Sequence, residues 1–248
     1  MSGLMRKSEK IVWVMLILSL GLYGIDFLLF GQGREIGMSF IGNLAFLPIY
    51  VLFVTLMIER VLKARERDAL RQKLNMVIGV FFSEIGTVLL RDGFGFVQDC
   101  GALQERMKVS GLWKAADFKA AKEFLQKNPM RIDSRNGDLR ALRSFLVSRR
   151  QFMLGLLENP NLLEHDDFTE LLWAVFHLVE ELEYRPDFAR LPETDLDHLS
   201  GDIKRAYTHL LDQWLLYMQH LKNDYPYLFS LAVRINPLNP DARVEVTG

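Results

Sequence analysis

A single cysteine, Cys100, stands in 248 residues, so no internal disulfide can staple the fold. Neither sign of charge is in excess: 30 Lys+Arg against 31 Asp+Glu leave a net charge of −1. That balance excludes a chain-wide basic surface of the kind that holds nucleic acid by charge alone. Catalytic signatures are missing too. The chain has no Walker sequence, no Gly-x-Ser-x-Gly elbow and no paired cysteines at zinc spacing. Gly31-Gln-Gly33 follows an apolar run rather than a strand pattern, which disqualifies it as a dinucleotide loop. Charge itself is scarce in one place: residues 11–58 hold only Asp26, Arg34 and Glu35, while the chain from Glu59 onward has ordinary polarity.

The low-charge block contains two apolar runs, 11–30 and 40–57, joined by the nine-residue link GQGREIGMS. At ~1.5 Å of rise per residue, each approaches the ~30 Å hydrocarbon thickness of a bilayer. The expectation is an all-α chain that opens with a two-helix transmembrane hairpin over 11–57. No Ala-x-Ala-like site follows the first run, which argues against a cleaved leader. Lys and Arg cluster in residues 1–10 and 59–73, and the link carries Arg34 alone. By the positive-inside rule, both termini of this multi-pass chain are expected in the cytoplasm, with the link outside. Asp26 and Asn43 fall at similar depth near the outer interface, where they could bond across the hairpin or reach Arg34. Gly21 and Gly24 offer a small-residue surface for close helix packing.

Residues 58–73 contain no Gly or Pro and extend the helical pattern as a basic stalk. Its Arg60, Lys63, Arg65 and Arg67 are candidates for contact with anionic lipid or a partner. Residues 74–90 carry one charge, Glu84, in seventeen positions. Leu74, Val77, Ile78, Phe81, Phe82, Ile85, Val88 and Leu89 share a broad face at helical period. Gly79 and Ser83 form a small-x-x-x-small step on the reverse side. Three readings compete: a core helix, an interfacial helix, and a third span. Glu84 in mid-segment favours the core helix.

From residue 74 to 240 the breakers Asn128-Pro129, Asn159-Pro160, Arg185-Pro186, Leu191-Pro192 and Asn236-Pro237 punctuate helical patterns. Helices are expected near 98–109, 114–127, 137–158, 167–184, 195–222 and 225–235, forming an α-helical bundle in the cytoplasm. Residues 241–248 read as a loose tail. Three histidines of this domain recur every eleven residues, at 198, 209 and 220; neighbours lie ~16 Å apart along a helix, too far to share an ion. They and Asp202 oppose the apolar face of Leu199, Ile203, Tyr207, Leu210, Trp214, Met218 and Leu221. His177 and Glu181 have i,i+4 ligand spacing, yet two ligands on one helix need partners elsewhere. Both stripes read as solvated polar faces, so neither a metal nor a cofactor is expected. Six arginines between 131 and 150, among them Arg143 and Arg150, could contact anionic lipid or a partner, or pair with acids of the same domain.

Three stretches, FFSEIGTVLL (81–90), LPETDLDHL (191–199) and QWLLYMQHLKNDYPYLFSLAVRINPLNP (213–240), are the most distinctive in the chain. They resemble a family of uncharacterised bacterial membrane proteins with two N-terminal transmembrane helices and a helical cytoplasmic domain. The likeness runs over most of the chain; it implies a location in the bacterial inner (cytoplasmic) membrane and no activity. The functional expectation is a membrane-anchored helical interaction or scaffold protein that self-associates, is not an enzyme and binds no nucleic acid. The alternative is a channel or transport component built from oligomerised hairpins, and an enzyme with a site that no motif reveals is a third.

Overall fold

In the computed structural model the described residues are 33–160, 162 and 166–245, preceded by positions 17, 21, 24, 25, 27 and 28. The chain divides into two units, Met1–Arg67 and Asp68–Gly248, with the boundary inside the expected stalk. The described residues are almost wholly helical; Val97 and Ile132 alone form an isolated antiparallel bridge. Helix α1 runs Gly33–Phe81, and its residues up to Arg67 belong to the first unit.

The transmembrane expectation is corrected by this geometry. Among the described residues no helix is long and apolar enough to cross a membrane. The run expected at 40–57 is part of one 49-residue helix. Its described apolar side chains, among them Leu47, Ile49, Leu52, Phe53 and Met57, are exposed. The run at 11–30 lies mostly outside the described residues. The hairpin, the multi-pass inner-membrane location and the orientation read from it therefore fall together.

In the second unit, Leu74, Ile78 and Phe81 of α1 are buried at helical spacing, so residues 74–90 enter the core. A π-helical turn follows at Phe82–Gly86, where the Thr87 hydroxyl donates to the Phe82 carbonyl at 2.8 Å. Helix α2 (Thr87–Gly93) then gives way to a tight turn at Phe94–Phe96. Helices α3 (Gly101–Met107) and α4 (Ala115–Lys127) come next. The expected helix 137–158 is two, α5 (Leu139–Ser148) and α6 (Arg150–Leu157), broken at Arg149. Asp138 starts α5 by accepting from the backbone N–H groups of Arg140 and Ala141, at 3.0 and 2.9 Å.

Helices α7 (Asp166–Glu183) and α8 (Glu193–Asp224) pack most extensively, and α9 (Pro226–Arg234) begins on a proline at its first turn. Leu171, Leu172, Val175, Leu178, Val179 and Leu182 of α7 meet Leu199, Ile203, Leu210, Trp214, Met218 and Leu221 of α8 in one buried cluster. Tyr207 is buried there, and its hydroxyl donates to the Leu90 carbonyl at 2.8 Å. A Cβ on Gly93 would stand 2.8 Å from the Tyr207 ring, so only glycine lets α2 approach α8 this closely. Asn236 is also buried; its amide donates to the Met107 carbonyl and its oxygen accepts from Leu238 N–H, both at 3.0 Å.

Candidate functional site

Two features stand out, one in each unit. In the first, Leu47, Ile49, Val51, Leu52, Phe53, Val54, Leu56, Met57 and Ile58 of α1 are each 49–66% exposed. Successive residues turn by about 100° on a helix, so this apolar surface faces every direction rather than forming a stripe. At roughly 100 Å² per side chain it totals on the order of 900 Å², beyond what isolated soluble proteins expose.

The second feature lies in the α7–α8 hairpin. Glu170 meets His209, His177 meets Asp202, Glu181 meets His198 and Arg185 meets Asp195, so the two helices run antiparallel. His177 and Glu181 stand four residues apart on α7, as do His198 and Asp202 on α8. Antiparallel packing brings both pairs to one place. His177 Nε2 lies 3.8 Å from Glu181 Oε1 and 3.7 Å from Asp202 Oδ1. His198 Nε2 lies 3.5 Å from Glu181 Oε2 and 3.2 Å from Asp202 Oδ2.

Burial differs sharply among the four. The Asp202 side chain is 3% exposed, whereas His177 and His198 are 44% and 53% exposed. Asp202 Oδ2 is buried without a hydrogen-bond partner. Arg205 approaches the other oxygen, Oδ1, at 3.4 Å from the solvent side. Arg185, largely buried, donates to the Glu181 carboxylate and forms a two-pronged pair with Asp195 at 2.6 and 2.8 Å. Its hydrogen bonds are the main reason the Glu181 and Asp195 carboxyls are held below the usual carboxylate range. Glu181 is thereby kept ionised and fixed in place beside Asp202.

The remaining candidates are placed as follows. Asp26 lies outside the described residues, as does the Arg34 side chain, and Asn43 is exposed on α1. Gly21 and Gly24 have open space where a side chain would begin. Gly79 faces the Tyr217 ring of α8, with 3.7 Å from its Cβ position to the ring, and Ser83 is exposed in the π-turn. Arg60, Lys63, Arg65 and Arg67 are exposed, and Lys63 pairs with Glu59 at 2.7 Å. The 131–150 arginines are engaged inside the domain. Arg131 pairs with Asp99, Arg135 with Asp133, Glu193 and Asp197, Arg140 with Asp187, and Arg149 with Glu84. Arg143 donates to the Glu183 carbonyl at 3.4 Å, and Arg150 lies 3.5 Å from the Glu183 carboxylate.

Family models cover nearly the whole chain. Residues 4–62 match the model described as "MJ1433, N-terminal helical domain", and residues 70–234 match "Uncharacterized protein MJ1433, C-terminal helical domain". The chain belongs to the MJ1433 family. Among its relatives is "Uncharacterized protein MJ1433" of Methanocaldococcus jannaschii, 44% identical over 225 residues, which span 91% of this chain and 90% of the relative. The family and this archaeal relative bear out the resemblance to an uncharacterised helical-domain family, and they support neither its membrane nature nor a bacterial origin. No solved structure matches. The gap between the two MJ1433 models contains the boundary at Arg67–Asp68 found from packing.

Sequence reasoning saw His177 and Glu181 but read Asp202 as solvated. The usable signal was the second i,i+4 pair, His198 and Asp202, on the neighbouring helical segment.

Proposed function

We propose that this MJ1433-family protein is a non-catalytic helical interaction protein that self-associates through residues 47–58 of α1. Each assembled chain holds a helical domain, so association raises the local concentration of whatever that domain binds. The observation that carries this reading is the apolar surface on every side of α1. Its on-the-order-of 900 Å² compares with the roughly 800 Å² per partner of a stable protein interface. A helix that is apolar all round needs neighbours on more than one side, which favours three or more chains over a dimer.

Light scattering of the full chain at micromolar concentration in detergent-free buffer tests this. A discrete oligomer of at least three chains is expected, with Leu52→Glu/Phe53→Glu shifting it to monomer. Leu112→Glu, which charges an 88%-exposed apolar residue of the other unit, should leave the oligomer intact. A monomeric wild type, or one that adsorbs to phospholipid vesicles without chain–chain association, overturns the reading.

A further inference from the structure

The hairpin cluster carries an inference independent of self-association. Two imidazole nitrogens and two carboxylates converge from α7 and α8, with nitrogen–oxygen separations of 3.2, 3.5, 3.7 and 3.8 Å. A tetrahedral zinc ion with bonds of about 2.0–2.1 Å sets its ligand atoms about 3.3–3.4 Å apart. His177 Nε2 lies 3.8 Å from Glu181 Oε1 and 3.7 Å from Asp202 Oδ1, somewhat wider than that edge, while His198 faces the other oxygen of each carboxylate. One donor atom each from His177, Glu181 and Asp202 lies within 4.8 Å of the others.

A second, separate observation points to a cation. The Asp202 side chain is 97% buried, yet its Oδ2 meets no aligned hydrogen-bond donor. His198 Nε2 stands 3.2 Å away as an ion-pair neighbour, out of hydrogen-bond alignment. A buried carboxylate oxygen left in this state is disfavoured unless a positive charge sits against it. The arginines do not supply it: Arg205 lies against Oδ1, and Arg185 serves Glu181 and Asp195.

We infer that His177, Glu181 and Asp202 bind one first-row divalent transition-metal ion of the Zn²⁺ type, pinning α7 to α8. Imidazole nitrogens favour such an ion over Mg²⁺ or Ca²⁺, which take oxygen ligands. Arg185 is a positioning residue, since it orients Glu181 from behind.

The test uses the full chain, stripped with chelator and titrated with Zn²⁺ by calorimetry, with bound metal counted by mass spectrometry. One equivalent is expected. His177→Ala and Asp202→Asn should each weaken binding at least tenfold. His209→Ala, on the same helix away from the cluster, should not change it. A hundredfold excess of Mg²⁺ should not displace the zinc. Circular dichroism reports whether each variant folds; if Asp202→Asn does not, half-exposed His177→Ala carries the comparison alone. Absence of stoichiometric zinc overturns the inference. Zinc retained at wild-type affinity in His177→Ala, or displaced by Mg²⁺, overturns it too.

Discussion

Replacing Gly93 by alanine tests the closest approach in the second unit. The new Cβ would stand 2.8 Å from both Cδ2 and Cε2 of Tyr207. That ring cannot swing aside, because it is buried and tethered by its hydroxyl to the Leu90 carbonyl. Two effects oppose each other. Alanine is better than glycine in a helix by up to about 1 kcal/mol. Overpacking a filled core costs about 1–3 kcal/mol, and a contact this short against a tethered ring belongs at the upper end. The net expectation is a loss of about 1–2 kcal/mol, read as a lower urea midpoint at unchanged slope. Gly95→Ala, two residues on with open space at its Cβ position, should be neutral or slightly stabilising. In a Tyr207→Leu background the Gly93→Ala cost should largely vanish, a coupling of about 1 kcal/mol or more. A Gly93→Ala protein as stable as wild type, or an equal cost in both backgrounds, would refute the close-approach argument.

Asp138→Ala removes the side chain that accepts from two backbone donors at the start of α5, and should lower stability by about 1 kcal/mol in the same urea assay. Asp133 is held below its ordinary carboxyl range, first by the Arg135 backbone N–H and then by its guanidinium. A carboxylate with a depressed folded-state pKa contributes stability above its unfolded value, about 3.9, and loses it as pH falls through the folded value. Asp133→Asn should therefore be less stable than wild type at pH 7, with the gap closing below about pH 4 in thermal melts. An unchanged gap at low pH would remove Asp133 as its source.

Helix positions were legible because apolar residues recur at helical period: the α7 and α8 core faces read from sequence are the buried ones. Where the chain breaks was harder. Arg149 splits an expected single helix, and no proline or glycine announces it. Asp202 illustrates a different limit. Its place opposite Leu199 and Ile203 suggests solvent, but α7 covers that side of α8 as well, and covering is a property of the pair. The register that brings His177 to Asp202 and Glu181 to His198 depends on how the 184–192 connection folds back. The apolar 40–57 run was legible as apolar and misread as a span, because hydropathy reports the wish to leave water and not the element that results.

The Asn236 clamp has a consequence for how the chain comes into being. Met107, near the start of the domain, receives its side-chain partner only when residue 236 arrives, and the Lys108–Asp241 ion pair at 2.7 Å waits for still later residues. During vectorial synthesis, therefore, α3 emerges long before the piece that satisfies it. The early helices must persist as an unfinished nascent intermediate until residues 236–241 have been made, so the domain closes at its seam last.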